Sequence, residues 1–162
     1  MASEKLFKLK PSFTKNSSTH VGNASQVSDG AAAVLLARRS VAKKLDLPIV
    51  GKFVDSAVVG VPPRIMGVST AFAIPNILGL TNDEVDFYEV NKASASPTPF
   101  SIHHLKIPFE KVNLNTIAIG LTGARQVATG LVIAKPTNQR TFVTFMCIGS
   151  GMGMAAVSVS EH

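Results

Sequence analysis

The sequence predicts an α/β domain with a mostly parallel sheet, and three observations carry that prediction. The apolar mass is Ala, Val, Ile and Leu, with no Trp and one Tyr in 162 residues, which suits strands buried on both faces. Strand-like and helix-like stretches alternate through the middle of the chain. Two β-rich runs, residues 141–146 and 154–159, then flank a glycine-rich turn. The length fits one domain with a real core.

The elements come in order along the chain. Residues 1–27 are polar and turn-rich around Asn16-Ser-Ser-Thr19, a poorly ordered approach to a domain spanning residues 28–162. Gly30 opens Ala31-Ala-Ala-Val-Leu-Leu-Ala37, an unbroken apolar run that periodicity leaves open between buried helix and strand. Residues 40–47 read as a short basic helix. Residues 48–54 and 57–61 read as two strands, the second stopped by Pro62 and Pro63. Ser69 can cap a helix to Leu80, with Ala71, Ile74 and Leu78 on one face and a kink at Pro75. Residues 86–90 form a strand. Thr122 can cap a helix to Ala134, with Ala124, Val127 and Leu131 on one side. No internal repeat is present.

Composition narrows the function classes. Hydrophobic residues make up 46% of the chain and charged ones 16%, and mean hydropathy is +0.27. Such a surface expects a partner. No apolar run approaches the ~20 residues of a membrane span. The first ten residues hold no apolar segment of a secretory signal. A single cysteine excludes an internal disulfide framework. Together these predict a soluble intracellular chain. The net charge of +6 is dispersed, with Lys5, Lys8, Lys10 and Lys15 near the start and Arg38, Arg39, Lys43 and Lys44 further on. These cations are not interleaved with aromatics, so no nucleic-acid partner is expected. A basic rim facing a nucleotide phosphate and a plainly solvated face both remain open. No metal site is expected.

Cys147 is the most informative residue. It lies in Met146-Cys-Ile-Gly-Ser-Gly-Met-Gly153, a strand ending in a turn whose glycines let backbone crowd a bound group. It is either a buried free thiol or, with a tuned pKa, a nucleophile or proton carrier.

Four stretches in order resemble one family. They are Gly22-Asn-Ala-Ser-Gln-Val-Ser-Asp-Gly-Ala-Ala-Ala-Val-Leu-Leu-Ala-Arg-Arg-Ser40, Val59-Gly-Val-Pro-Pro-Arg-Ile-Met-Gly67, Thr122-Gly-Ala-Arg-Gln-Val-Ala-Thr129 and the Cys147 motif. From about Leu6 onward the chain resembles the C-terminal part of the thiolase family, 3-ketoacyl-CoA thiolases, in wording nearest the peroxisomal branch. The resemblance implies a thiolase-fold half-domain: a five-stranded mixed, mostly parallel sheet with helices on both faces. It implies a CoA or acyl-CoA thioester as substrate or ligand, with no permanently bound cofactor, and acyl transfer through a cysteine. Peroxisomal placement comes from the resemblance only, since the Ser160-Glu-His162 end is not a Ser-Lys-Leu-type address.

The family's chemistry uses four groups. The nucleophilic cysteine belongs to an N-terminal half that this chain lacks. The histidine of a Gly-His-Pro turn has no match in Ile117-Ala-Ile-Gly-Leu-Thr-Gly-Ala124, where Gly120 runs almost directly into Thr122. The asparagine that holds a water in an oxyanion hole matches Asn91, although Asn-Lys-Ala-Ser-Ala stands where Asn-Glu-Ala-Phe is usual. The proton-carrying cysteine matches Cys147, with the backbone at Gly149 as oxyanion donor. Asn23, Ala24 and Ser25 match the segment along the pantetheine arm, or form a polar turn in which Ser28 caps the next segment. Met66 and Gly67 match a loop near the acyl site, or simply pack after Pro62 and Pro63. His103 and His104 read as solvent-facing and as no substitute for the missing base.

Further departures point the same way. Pro97 and Pro99 fall where the family has unbroken helix, and each interior proline costs about 3 kcal/mol. The expected outcome is a later helix with Thr98 capping and Pro99 first, and a loosened Asn91. Lys92 reverses a local charge, and Gly130-Leu-Val-Ile-Ala134 replaces a charged helix surface. These read as drift after loss of catalytic constraint. The expectation is a thiolase-type domain inactive alone. The alternatives are a CoA-binding module without catalysis, or a subunit that docks on an N-terminal thiolase half, an intact thiolase or a second copy.

Overall fold

The computed structural model describes residues 3–76, 79–113 and 120–162, with side chains for all of these but Ser3 and Asn113. One mixed sheet organises them, in the order β1-β5-β4-β2-β3. Its body is β1 (Gly51–Gly60), β2 (Phe87–Val90), β4 (Thr141–Ile148) and β5 (Met152–Ser160). At the edge, β3 (Val112–Asn113) adds two residues. The helices are α1 (Ser3–Leu6), α2 (Arg39–Lys44), α3 (Thr70–Ala73), α4 (Pro97–His104) and α5 (Thr122–Ala134).

The mostly parallel sheet expected from composition is corrected. β5 is antiparallel to both β1 and β4 along its length. Only β2 pairs in parallel, over four residues with β4 and two with β3. Apolar runs reveal burial on both faces, which here comes from helices on both sides, and not strand direction. The three-residue link between Ile148 and Met152 permits only a hairpin.

Residues 48–54 and 57–61, read as two strands, are one. β1 runs through Asp55 and Ser56 with an irregularity between Phe53 and Asp55. The polar pair is tolerated because β1 is an edge strand. Residues 31–37 are neither helix nor strand.

The pleat divides the core. Phe87 and Phe142 face α5 and stack at 5.1 Å, packed with Leu131, Ile133 and Ala134. Tyr88, Val90, Val143, Phe145, Ala155 and Val157 face the other way, toward Ala73 of α3 and Ile102 of α4. Gly130 has a packing reason. A Cβ there would lie 2.3 Å from the Phe142 ring, so glycine lets α5 approach the sheet. Packing thus accounts for Gly130 within that stretch.

Four expected caps are absent. Ser69 makes no cap bond and its Oγ donates instead to the Met152 carbonyl, 2.7 Å away. The helix expected to Leu80 stops at Ala73 and tightens into a 3-10 turn, Ile74–Asn76, around Pro75. Leu78 lies outside the described residues. α5 is preceded by Leu121, with Thr122 inside the helix rather than capping it. α4 begins at Pro97, not Pro99, because a first-turn proline sacrifices no helical hydrogen bond. Thr98 therefore sits inside α4. Ser28 caps nothing, since residues 25–38 form no helix. Its carbonyl accepts the Gly120 amide at 3.0 Å.

Candidate active site

The carboxyl ends of the parallel strands β2 and β4 lie side by side, where α/β sheets commonly place their sites. The register pairs Val90 with Phe145, and the Asn91 amide donates to the Phe145 carbonyl at 3.1 Å. Asn91 therefore ends β2 beside the strand that carries Cys147. The expected loosening of Asn91 is corrected. Its amide is held by β4, and its carbonyl accepts Thr98 Oγ1 at 3.3 Å. The start of α4 ties the site down instead of releasing it. Asn91 Oδ1 is buried and has no hydrogen-bond partner among the described residues. A buried amide oxygen in that state fits a donor from water or ligand.

By the period of two, Cys147 shares the face of Val143 and Phe145, and it pairs across the hairpin with Gly153. Burial pushes its thiol pKa up, and a hydrogen bond with its own backbone offsets part of that rise. At neutral pH the group is a protonated thiol, a proton donor more than a nucleophile.

The glycines divide by role. Gly151 has φ +95°, and a Cβ there would meet the Val61 carbonyl at 2.4 Å. At Gly153 a Cβ would lie 2.6 Å from the Ser69 backbone. Both are crowded by the protein itself. Gly149 is exposed, with nothing within 4 Å of its missing Cβ. It alone leaves room for a bound group.

Asn23, Ala24 and Ser25 come to the same end. Ala24 bridges Ser94, Ser25 N donates to the Ala93 carbonyl at 2.9 Å, and the Ala95 amide donates to Asn23 O at 2.8 Å. The Asn23 side chain closes its own loop, with Nδ2 donating to the Ser18 carbonyl and Oδ1 accepting the His20 amide, each at 2.8 Å. Gly67 packs against Pro97, 3.2 Å from its missing Cβ. His103 and His104 are exposed, with His104 stacked on Phe100.

Two residues have roles that the sequence did not predict. Gln126 Nε2 donates to the carbonyls of Glu89 and Phe145 at 3.0 and 3.2 Å, clamping β2 to β4 just below the site. Ser69 braces the turn through Met152. The quoted Thr122–Thr129 motif contains the first without giving it a role, and the second was read as a helix cap. Among the described residues no cluster of His, Cys, Asp or Glu could hold a metal ion. No helix among them is long and apolar enough to cross a membrane.

The chain is similar in sequence and fold to proteins of one family. Residues 47–160 match the family model for the thiolase C-terminal domain, and residues 1–40 that for the thiolase N-terminal domain. The peroxisomal 3-ketoacyl-CoA thiolase of Yarrowia lipolytica is 52% identical over 99% of this chain and 41% of its own length. The human peroxisomal enzyme is 53% identical over 95% of the chain and 39% of its length. The chain thus spans about two fifths of the relatives it matches. The crystal structure of the dimeric peroxisomal thiolase of Saccharomyces cerevisiae superposes with TM-score 0.89, at 48% identity over 99% of the chain and 43% of that structure. Human mitochondrial 3-ketoacyl-CoA thiolase in complex with CoA gives 0.90 at 33% identity, covering 99% and 43%. A further Saccharomyces cerevisiae structure, described as five-layered α-β-α-β-α from two core domains of identical topology, gives 0.69 at 44% identity over 77% of the chain and 38% of that structure.

Proposed function

The chain belongs to the thiolase family, and on that premise we propose that it is the C-terminal part of a 3-ketoacyl-CoA thiolase of the peroxisomal branch, catalytically silent alone. One observation carries the reading. The only thiol in the chain is Cys147, and burial keeps it protonated. Thiolytic acyl transfer needs one thiolate to attack the 3-keto thioester and a second group to pass a proton. Cys147 suits the second task and cannot perform both.

The remaining roles rest on placement. Asn91 Oδ1, buried and waiting for a donor, holds a water or thioester group beside Cys147. The open backbone at Gly149 donates to the developing oxyanion, a contribution worth ~10²–10³ in rate for one donor. Residues 23–25, docked on 93–95, border the path of the pantetheine arm. No histidine stands between Gly120 and Thr122 to activate a nucleophile. Residues 117–119 of that stretch lie outside the described residues. Placement in the peroxisome rests on the relatives' similarity.

The test is thiolysis of acetoacetyl-CoA by the purified chain and by Cys147→Ala, alone and after co-expression with the N-terminal part of a relative. No turnover is expected from the chain alone. Turnover that disappears in Cys147→Ala refutes the silent reading. Calorimetry with millimolar CoA tests binding separately.

A further inference from the structure

We propose that α2 and the start of β1 form a docking surface for an anionic lipid bilayer. The inference goes beyond the functional reading and does not rest on it. α2 buries one residue, Ala42, and its other residues are exposed. Val41 and Leu45 lie one turn apart on one face, 43% and 60% exposed. Arg38 and Lys44, three residues to either side of Val41, flank that ridge. Where β1 begins, Val50 and Phe53 are 61% and 51% exposed, with Lys52 between them in sequence. Large apolar side chains held in water among cations mark an interaction surface.

Charge selects the partner. Arg38, Arg39, Lys43, Lys44, Lys52 and Arg140 are all exposed. Two acids accompany them, Asp46 and Glu161, and Glu161 is already paired with Arg39. The Glu161 carboxyl is held below the usual carboxylate range, first by its hydrogen bond from Arg39 and then by the fields of Arg39, Lys52 and Arg140, so those three cations converge on one point. Between α2 and β1 runs a groove of about 630 Å³, whose lining combines apolar Leu47, Val50 and Phe53 with cationic Arg38, Arg39 and Lys52. A phospholipid carries the matching pair of chemistries, an anionic phosphate joined to an apolar chain. Long cationic side chains bury their stems while their heads reach the phosphates, and a basic amphipathic helix lies in the plane of the interface. A nucleic acid would use the cations but leave Val41, Leu45 and Val50 without a role, because aliphatic side chains do not stack on bases. Position keeps the surface apart from Cys147. Gly51 pairs with Ser160 at one end of β5 and Cys147 with Gly153 at the other, roughly 20 Å away at the rise of an extended strand. Docking through this end leaves the hairpin clear of the lipid.

The experiment sediments the purified full chain with vesicles of phosphatidylcholine containing about one third phosphatidylserine, and with vesicles of phosphatidylcholine alone. Binding to the anionic vesicles is expected. It should fall at least ~tenfold on the neutral ones, and at least ~tenfold when salt near 1 M shortens the screening length to ~3 Å. A cation at such a surface is worth about fivefold in binding, so Lys43→Glu with Lys44→Glu should cut it at least ~100-fold. Leu45→Ser removes an inserting side chain and should weaken it at least ~tenfold, a loss that attraction of charge alone would not show. The same double reversal at Lys8 and Lys10 controls for net charge and should leave binding close to wild type. All these side chains are exposed, so every variant should melt with the wild type. Failure to bind anionic vesicles overturns the inference. So does equal binding to phosphatidylcholine alone, or wild-type binding by either variant of the surface. Equal loss in the Lys8 and Lys10 variant reduces the effect to net charge and overturns it too. Duplex DNA or polyglutamate retained where vesicles are not, and released by the reversal at Lys43 and Lys44, gives the surface to another polyanion and overturns it as well.

Discussion

Two glycines of one motif should respond to alanine with opposite signs. At Gly153 an added Cβ would lie 2.6 Å from the Ser69 carbonyl carbon and oxygen and 2.7 Å from its Oγ. Ser69 is fully buried at the start of α3, and the atoms that must yield are mostly backbone. Overpacking of this kind costs ~1–3 kcal/mol. Displacing Ser69 also strains its bond to the Met152 carbonyl, adding ~1 kcal/mol. The stiffer unfolded chain returns ~0.4–1 kcal/mol. The net is a loss of roughly 1–3 kcal/mol, or a melting point lower by about 2–12 °C in a domain of this size. At Gly149 nothing lies within 4 Å and φ is not positive. Only the unfolded-state gain of ~0.4–1 kcal/mol applies. Differential scanning calorimetry of Gly153→Ala and Gly149→Ala separates the two. A Gly153→Ala protein that melts with or above wild type refutes the close approach of α3 to the hairpin.

Tyr88 is the only tyrosine, so its ionisation is readable at 295 nm without assignment. Burial raises its pKa to about 12, so its stabilising contribution is intact below about pH 10 and lost as pH rises from there through 12. A midpoint near 10 in folded protein contradicts the burial. Cys147 should alkylate with iodoacetamide more slowly at pH 7–8 than a free peptide thiol, because burial raises its pKa. Its contribution to stability likewise fades only as pH climbs above about 8.5, the unfolded thiol value. Alkylation as fast as the peptide at neutral pH would show an activated thiolate. Gln126→Leu removes one donor from each of the carbonyls of Glu89 and Phe145, the latter keeping the Asn91 amide, and should cost about 1–3 kcal/mol in guanidinium unfolding. A change below about 0.5 kcal/mol would mean the clamp is not formed.

What the sequence could show depended on what each residue type encodes. Prolines were read well in kind and less well in position. Pro75 ends α3, but Pro97 rather than Pro99 opens α4, since either satisfies the first-turn rule. Asp55 and Ser56 looked like a break between strands because polarity signals exposure, and an edge strand is exposed. The share of parallel pairing was overestimated because helices on both faces erase the alternation that marks a half-exposed antiparallel pair. Residues 31–37 stayed ambiguous because an apolar run does not distinguish helix from strand, and here it forms neither. In the hairpin, the crowding at Gly151 and Gly153 was legible because glycine clusters mark close backbone approach. The register that sets Asn91 beside β4 is a tertiary fact, invisible in spacing. Gln126 lies in the Thr122–Thr129 motif, but the clamp it makes depends on the pairing of β2 with β4, which spacing along the chain does not reveal.

The short link between Ile148 and Met152 bears on the order of assembly. β4 and β5 can zip together on the scale of microseconds, while β1 and β2 must be brought in from distant parts of the chain against loop-closure entropy. We hypothesise that the hairpin bearing Cys147 forms the folding nucleus and that the sheet grows outward from it. Truncations at Val143 and Val157 should then slow refolding in proportion to the stability they remove, while truncations in β1 should act on unfolding. Refolding rates indifferent to the hairpin would refute this. A chain nucleated so late in its sequence has its β1 strand made long before its partner strand. Until the last residues appear, Gly51–Gly60 is an unprotected edge, the period in which chaperones or misassociation would act.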